Sequence, residues 1–228
     1  KTVLARMRRQ GAAYGADIRS GAVERLTVKT SGFRLQTTAG DIRTRKVNLA
    51  AGVVDTKPRL PGVEDAIRRG LVRICPICDG YEVIGKTVGV IGADAHAAGE
   101  AVFLTTWSDD VWLIHTGRPG DLPTAERRRL KAAGVGLIET PISRVVLDRR
   151  RIAALCFGPG EPKVFDAVYA ALGVTPRAAL AIDAGAKLDK TGRLIVGEHQ
   201  ETSAPGLYAA GDVVRGLNQI SVAQGEGA

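Results

Sequence analysis

Thr87-Val88-Gly89-Val90-Ile91-Gly92-Ala93-Asp94-Ala95-His96-Ala97 is the stretch from which the fold is read. Residues 87–91 are a short apolar run of the kind a buried parallel strand needs, and Gly92 ends it. Residues 97–105 carry Ala, Phe and Leu on one side of a helix, and residues 111–114 are a second apolar run. Strand, glycine turn, helix and strand make a βαβ unit, the beginning of a nucleotide-binding sheet. A dinucleotide turn is written G-x-G-x-x-G, its second glycine letting backbone approach a pyrophosphate. Here only Gly92 is kept, with the bulkier, negatively charged Asp94 in second place and Ala97 in third. The fold signal survives and the ligand signal is damaged. The turn therefore reads either as a dinucleotide site or as a βαβ fold without its ligand. His96 is a candidate phosphate contact, against the plainer reading of a solvated loop histidine. Arg118, in His115-Thr116-Gly117-Arg118, is the nearby candidate for a ribose phosphate.

Just upstream stands Cys75-Pro76-Ile77-Cys78-Asp79-Gly80. Two thiols three positions apart can close and reopen a small disulfide with little backbone movement. At a helix start they gain thiolate character from the exposed N–H groups, and Pro76 suits a first helical turn. Asp79 puts a carboxyl beside the pair, where it can deliver or collect the proton of thiol–disulfide exchange. The pattern is also half of a zinc site, but zinc takes about four ligands. The other candidates, Cys156, His96, His115 and His199, are isolated in sequence. Two inert thiols on a buried helix are the third reading.

The bulk properties narrow the class. The chain has 228 residues, room for one large domain or two modest ones, and 45% are hydrophobic, enough for a core. No apolar run approaches a membrane span, and no leader signals export. Three cysteines, one of them odd, suit a reducing cytosol better than a secreted disulfide framework. The formal charge of +8 raises nucleic acid as a partner, but the basic runs are scattered. They include Arg127-Arg128-Arg129 and Arg149-Arg150-Arg151, and aromatics are only 4%. Solvated helix faces are the plainer account, and neither nucleic acid nor membrane is expected as a partner.

Outward from the centre, residues 2–14 read as an amphipathic helix, and 16–19, 22–29, 33–38 and 41–49 alternate like strands. The strand ending in Ala51-Gly52 leads to Pro58 and Pro61-Gly62, the best linker candidate. Downstream, 123–133 reads as a polar helix. Residues 136–139, 143–147, 152–157 and 163–170 read as short strands joined by turns such as Gly158-Pro159-Gly160, with Cys156 a packed core thiol. Gly206-Leu207-Tyr208-Ala209-Ala210-Gly211-Asp212 is an apolar strand ending in glycine and a carboxylate, a placement that suits a sugar-alcohol hydroxyl, although it also fits a plain turn. Residues 219–228 begin a helix of small residues whose N–H groups would face whatever Asp212 holds.

In this order, Ala51-Gly52, Pro61-Gly62, Cys75-Pro76-Ile77-Cys78-Asp79-Gly80, the βαβ unit and Thr202-Ser203-Ala204-Pro205-Gly206-Leu207-Tyr208-Ala209-Ala210-Gly211-Asp212 resemble the low-molecular-weight thioredoxin reductases. These belong to the class II pyridine nucleotide–disulfide oxidoreductases, and the likeness runs along essentially the whole chain. It implies an α/β protein of two Rossmann-like, three-layer FAD/NAD(P)-binding domains, the second inserted into the first. Residues 1–73 would be the first part of the FAD domain, 74–192 the inserted domain carrying C-x-x-C, and 193–228 the return segment. By the same resemblance Cys78 would face the flavin, Cys75 would attack the incoming disulfide and Asp79 would be the acid–base group. FAD would lie against Ala51, Gly52, Gly211, Asp212, Asn218, Gln219 and Ile220. NADPH would lie against Gly92, Asp94, His96 and Arg118. Electrons would pass from NADPH through FAD and the dithiol to a thioredoxin-like protein or a small disulfide, in a cytoplasmic homodimer.

Two departures qualify the likeness. The family's opening βαβ, with its G-x-G-x-x-G for FAD, does not occur in this sequence, so the FAD domain reads as incomplete and the chain as a fragment. The inserted domain lacks its middle glycine and the paired arginines expected after His115, where Thr116-Gly117 stand. A flavin-dependent dithiol oxidase, a disulfide reductase with a donor other than NADPH, and a non-catalytic fragment are therefore the alternatives.

Overall fold

The computed structural model of the chain describes residues 2–148, 152–157 and 162–228. It contains two compact units, one built from Lys1–Val54 with Pro176–Ala228 and the other from Asp55–Thr175. The arginine run at 149–151 and the turn at 158–160 lie outside the described residues.

In chain order the elements are α1 (Thr2–Ala13), β1 (Val23–Lys29), β2 (Gly32–Thr37), β3 (Gly40–Thr44), β4 (Val47–Leu49), β5 (Val53–Asp55), α2 (Val63–Arg68), β6 (Val72–Arg73) and α3 (Pro76–Asp79). A 3-10 turn (Gly80–Val83) follows, then β7 (Thr87–Gly92), α4 (Ala95–Leu104), β8 (Asp110–His115), α5 (Thr124–Ala132), β9 (Gly136–Ile138), β10 (Ile142–Leu147), β11 (Ile152–Phe157) and β12 (Lys163–Phe165). The chain closes with β13 (Ala167–Ala170), β14 (Val174–Pro176), α6 (Ala179–Asp183), β15 (Leu207–Ala209) and α7 (Ile220–Glu226).

The inserted unit is a three-layer sandwich around a five-stranded parallel sheet ordered β6-β13-β7-β8-β9. Period-two alternation decides what each strand residue touches. Val88 and Val90 of β7, Val111 and Leu113 of β8, and Ala167 and Tyr169 of β13 bury against Ala97, Ala101 and Leu104 of α4 and Leu130 of α5. Ile91, Ile114 and Val168 point the other way, onto Ile152, Leu155 and Phe165 of the antiparallel β10-β11-β12 meander. A sheet covered on both faces explains why its strands read as continuous apolar runs.

The other unit holds the antiparallel β1-β2-β3 sheet and the parallel pair β15-β4. Leu26, Phe33, Leu49, Ala181, Leu194 and Leu207 are among the residues of its core.

The structure departs from the sequence reading in three places. Residues 16–19 form no strand; they alternate in polarity but are exposed, with no core face to bury. Residues 41–49 are two strands, because β3 pairs with β2 while β4 pairs with β15. Residues 163–170 are likewise two strands in different sheets, broken at Asp166. There the Thr87 N–H donates to Asp166 Oδ2 (3.0 Å) and the Asp166 N–H to Thr87 O (2.9 Å), so that β13 can turn into the parallel sheet beside β7. The two compact units themselves divide at 54/55 and 175/176. β6 pairs with β13, which draws the residues before the cysteines into the inserted unit. Ala178, Ala181 and Ala186 pack into the core of the other unit and draw 176–192 with them.

Candidate active site

Cys75 and Cys78 form a disulfide with their Cα atoms 5.3 Å apart. Cys75 is the N-cap residue of α3 and Pro76 opens the helix, as the missing N–H of proline allows. Cys75 is half-buried and Cys78 exposed. Cys156 is a free, buried thiol. Among the described residues no group of three or more His, Cys, Asp or Glu could hold a metal ion.

Asp79 ends α3 at the junction with the 3-10 turn, and its side chain meets two residues the sequence reading did not single out. The Tyr169 phenol, on the helix-facing side of β13, is wholly buried and donates to Asp79 Oδ1 at 2.7 Å. Arg73 Nη1, from β6, lies 3.4 Å from Asp79 Oδ2 and 2.9 Å from Glu82 Oε2, and donates to the Asp79 carbonyl at 3.3 Å. Its side chain is only 12% exposed. Burial opposes the Arg73 charge, but Asp79, Tyr169 and Glu82 raise it above its ordinary value. Burial, followed by the hydrogen bond to Asp79, holds the Tyr169 proton well above the usual phenol range. Tyr169 could have been suspected from sequence, since a buried tyrosine in an apolar strand needs a partner for its hydroxyl.

The turn after the dithiol is packed just as closely. A β-carbon on Gly80 would come 2.9 Å from Trp107 Nε1 and 3.0 Å from its Cδ1, so the indole lies against the backbone there.

The residues expected at the flavin lie in the other unit. Parallel pairing sets Leu207 opposite Val47 and Ala209 opposite Leu49, so the two chains leave at the same end as Ala51-Gly52 and Gly211-Asp212. The Ala210 N–H donates to Leu49 O at 3.1 Å, holding the two exits together. Gly211 has φ +78 and packs against α7, where its β-carbon would lie 3.4 Å from that of Ala223. Its N–H donates to Glu226 Oε2 at 2.7 Å, a contact no motif pointed to. Asp212, Asn218 and Gln219 are half-buried and Ile220 exposed, with Gln219 the N-cap residue of α7.

At the βαβ turn Gly92 serves packing, and Asp94 is the N-cap of α4, its Oδ1 accepting the Ala97 N–H at 3.0 Å. His96 is spent on Glu100, with Nε2 3.0 Å from Oε1, and Arg118 is exposed on the next loop. These four share one unit, but only Gly92, Asp94 and the start of α4 form a connected turn. Beside it, at the carboxyl ends of β7 and β8, lies a cavity of about 350 Å³ lined by Ile91, Ile114, His115, Leu172, Lys57 and Arg59, among others. His115 is 2% exposed, with Nε2 3.1 Å from Ala93 O.

Residues 11–227 match the family model described as pyridine nucleotide-disulphide oxidoreductase. The chain belongs to this family. The thioredoxin reductase of Treponema pallidum (strain Nichols) is 29% identical over 232 residues, covering 97% of this chain and 74% of that relative. The bifunctional thioredoxin reductase/thioredoxin of Mycobacterium leprae (strain TN) is 29% identical over 230 residues, and the chain spans only half its length, with 97% of this chain covered. The crystal structure of thioredoxin reductase from Streptococcus pyogenes MGAS5005 superposes with a TM-score of 0.89 at 23% identity, covering all of this chain and 76% of that one, and shows the shared fold. The Rossmann-like reading of the family's fold agrees with the parallel sheet and its two covering layers.

Proposed function

We propose that the chain belongs to an FAD-dependent disulfide reductase of thioredoxin reductase type, which passes electrons through Cys75–Cys78 to the disulfide of a thioredoxin-like protein. The observation that carries this reading is a disulfide at the N-terminus of α3 with the Asp79 carboxyl one residue beyond it. The names of the relatives support the partner class. By the same likeness a cytoplasmic homodimer is the assembly proposed. Among the described residues no helix is long and apolar enough to cross a membrane.

FAD and NADPH are the cofactors that family membership brings. The flavin end fits the residues present. Asp212 follows β15 where a carboxylate can hold a ribityl hydroxyl, a β-carbon on Gly52 would meet nothing within 4 Å, and Ala51, Gly211, Asn218, Gln219 and Ile220 complete the proposed contacts. Bound there and reduced by an electron donor, the flavin would supply the two electrons that open the disulfide. The βαβ turn does not fit a pyrophosphate as it stands. The Asp94 carboxylate occupies an N–H that phosphate oxygens would use and adds negative charge at their approach. No step is therefore routed through the nicotinamide.

Once the dithiol is reduced, the chain's own residues carry the chemistry. In this scheme Cys75 attacks, Cys78 resolves, and Asp79 moves the protons between sulfurs. The decisive experiment is a thiol count on the chain before and after dithiothreitol, in the wild type and in Cys78→Ser. A gain of two thiols in the wild type and none in the variant is expected. No gain in the wild type defeats the reading. On protein reconstituted with FAD, anaerobic bleaching by NADPH tests the donor separately. A flavin that stays oxidised with NADPH yet bleaches with dithionite removes NADPH from the scheme and keeps the dithiol.

A further inference from the structure

We infer that Tyr169 and Arg73 are positioning residues that hold the Asp79 carboxylate for proton transfer between sulfurs; this rests on the disulfide-reductase reading above. Asp79 lies at a break between α3 and the 3-10 turn, where nothing in the local backbone determines its side-chain direction. Two residues from neighbouring strands determine it instead. Tyr169 reaches one carboxylate oxygen from the sheet, and Arg73 reaches the other oxygen and the backbone carbonyl of the same residue. Both come from adjacent strands of one parallel sheet.

The buried setting strengthens the argument. A wholly buried phenol, in the same core as Val83, Val90, Ala98 and Leu104, has no solvent to turn to, so its hydroxyl must find a partner within the protein. It finds the one carboxyl adjacent to the dithiol. The charged and titratable groups around that carboxyl are Arg73 from β6, Tyr169 from β13, Glu82 through Arg73, and the two sulfurs of its own helix. Leu104 at the end of α4 and the Trp107 indole just beyond it lie against Gly80 in this turn.

The exchange balances as follows. Asp79 takes the proton of the Cys75 thiol, and the thiolate attacks one sulfur of the substrate disulfide. That S–S bond breaks, a Cys75 mixed disulfide forms, and the departing sulfur receives the proton from Asp79. The Cys78 thiol then loses its proton through the same carboxyl and attacks Cys75. The second substrate sulfur leaves as a thiol and the Cys75–Cys78 disulfide is restored. Two electrons and two protons pass to the substrate.

Only a leaving sulfur that needs a proton can report on this role. The dithiothreitol-reduced full chain is therefore reacted with hydroxyethyl disulfide, whose aliphatic thiolate leaves poorly, and with dithiobis(nitrobenzoate), whose aromatic thiolate leaves without a proton. The readout is the ratio of the two rate constants, which a general loss of structure or thiol access does not change. Tyr169→Phe is expected to lower the ratio about ten-fold, as loss of one hydrogen bond to a charged group should. It should lower it no further in an Asp79→Asn background. Arg73→Gln, expected to act in the same direction, carries the test if Tyr169→Phe does not fold. An unchanged ratio, or a loss additive with Asp79→Asn, overturns the positioning role. A reduced wild-type chain that exchanges with neither disulfide overturns the disulfide-reductase reading instead.

Discussion

At Gly92 an added β-carbon would meet the Ala97 β-carbon at 2.3 Å and the Ala171 carbonyl oxygen at 2.7 Å. Neither neighbour is the loose end of a flexible side chain, so β7, α4 and the exit of β13 must move apart to admit it. Gly92→Ala is expected to lower stability by about 1–3 kcal/mol, read as a shift of the urea midpoint at constant slope. This explains how the turn can keep its first glycine while losing the second. The first is needed for the sheet and helix to touch, whether or not a ligand binds. The second is needed chiefly by the ligand, and Asp94 in its place finds local use as a cap. Gly80 is similar in kind: Gly80→Ala would push against the Trp107 indole. It is expected to change tryptophan fluorescence and the rate of dithiol alkylation together, and a change in neither would show that the turn yields freely.

Among the elements, α4 is where stability and ligand access compete. Asp94 accepts the Ala97 N–H, one of the otherwise unpartnered donors of the helix start. Asp94→Ala should cost about 1 kcal/mol and Asp94→Gly only a few tenths, since glycine is itself an acceptable N-cap. Asp94→Gly also removes the negative charge and the side chain from the turn. It is therefore expected to bind NADPH more tightly than the wild type, measured by nucleotide fluorescence, and equal affinity would place the nucleotide elsewhere. The helices and parallel strands of this unit were readable because their apolar runs and glycine stops are local signals. The breaks at Asp166 and after Thr44 were not, because period-two alternation continues through a residue that hands the chain from one sheet to another.

Across the inserted unit, the Arg127–Glu139 pair joins α5 to the segment after β9, with Arg127 Nη1 2.8 Å from Glu139 Oε2. The Arg127 hydrogen bonds, then the Gly120 N–H, lower Glu139 from 4.5 to about 2. A carboxylate depressed in the folded state stabilises fully above its unfolded value and loses that contribution as pH falls through the folded one. The melting-temperature gap between wild type and Glu139→Gln is thus expected to be constant at neutral pH and to close as pH falls from 4.5 towards about 2. A gap that does not vary over that window would show that the pair contributes nothing.

The α/β class, the redox pair and its place at a helix start were legible in the sequence, because each rests on residues within a few positions of one another. So was the apolar strand that ends in Gly211-Asp212. Tertiary structure alone decided what surrounds Asp79. Tyr169 and Arg73 are 90 and 6 positions away in sequence, and only parallel pairing of β13 with β6 brings them to one carboxyl. It also decided which glycines the packing requires. A linear pattern records that a residue is small, whereas only the neighbouring chain records how little space is left.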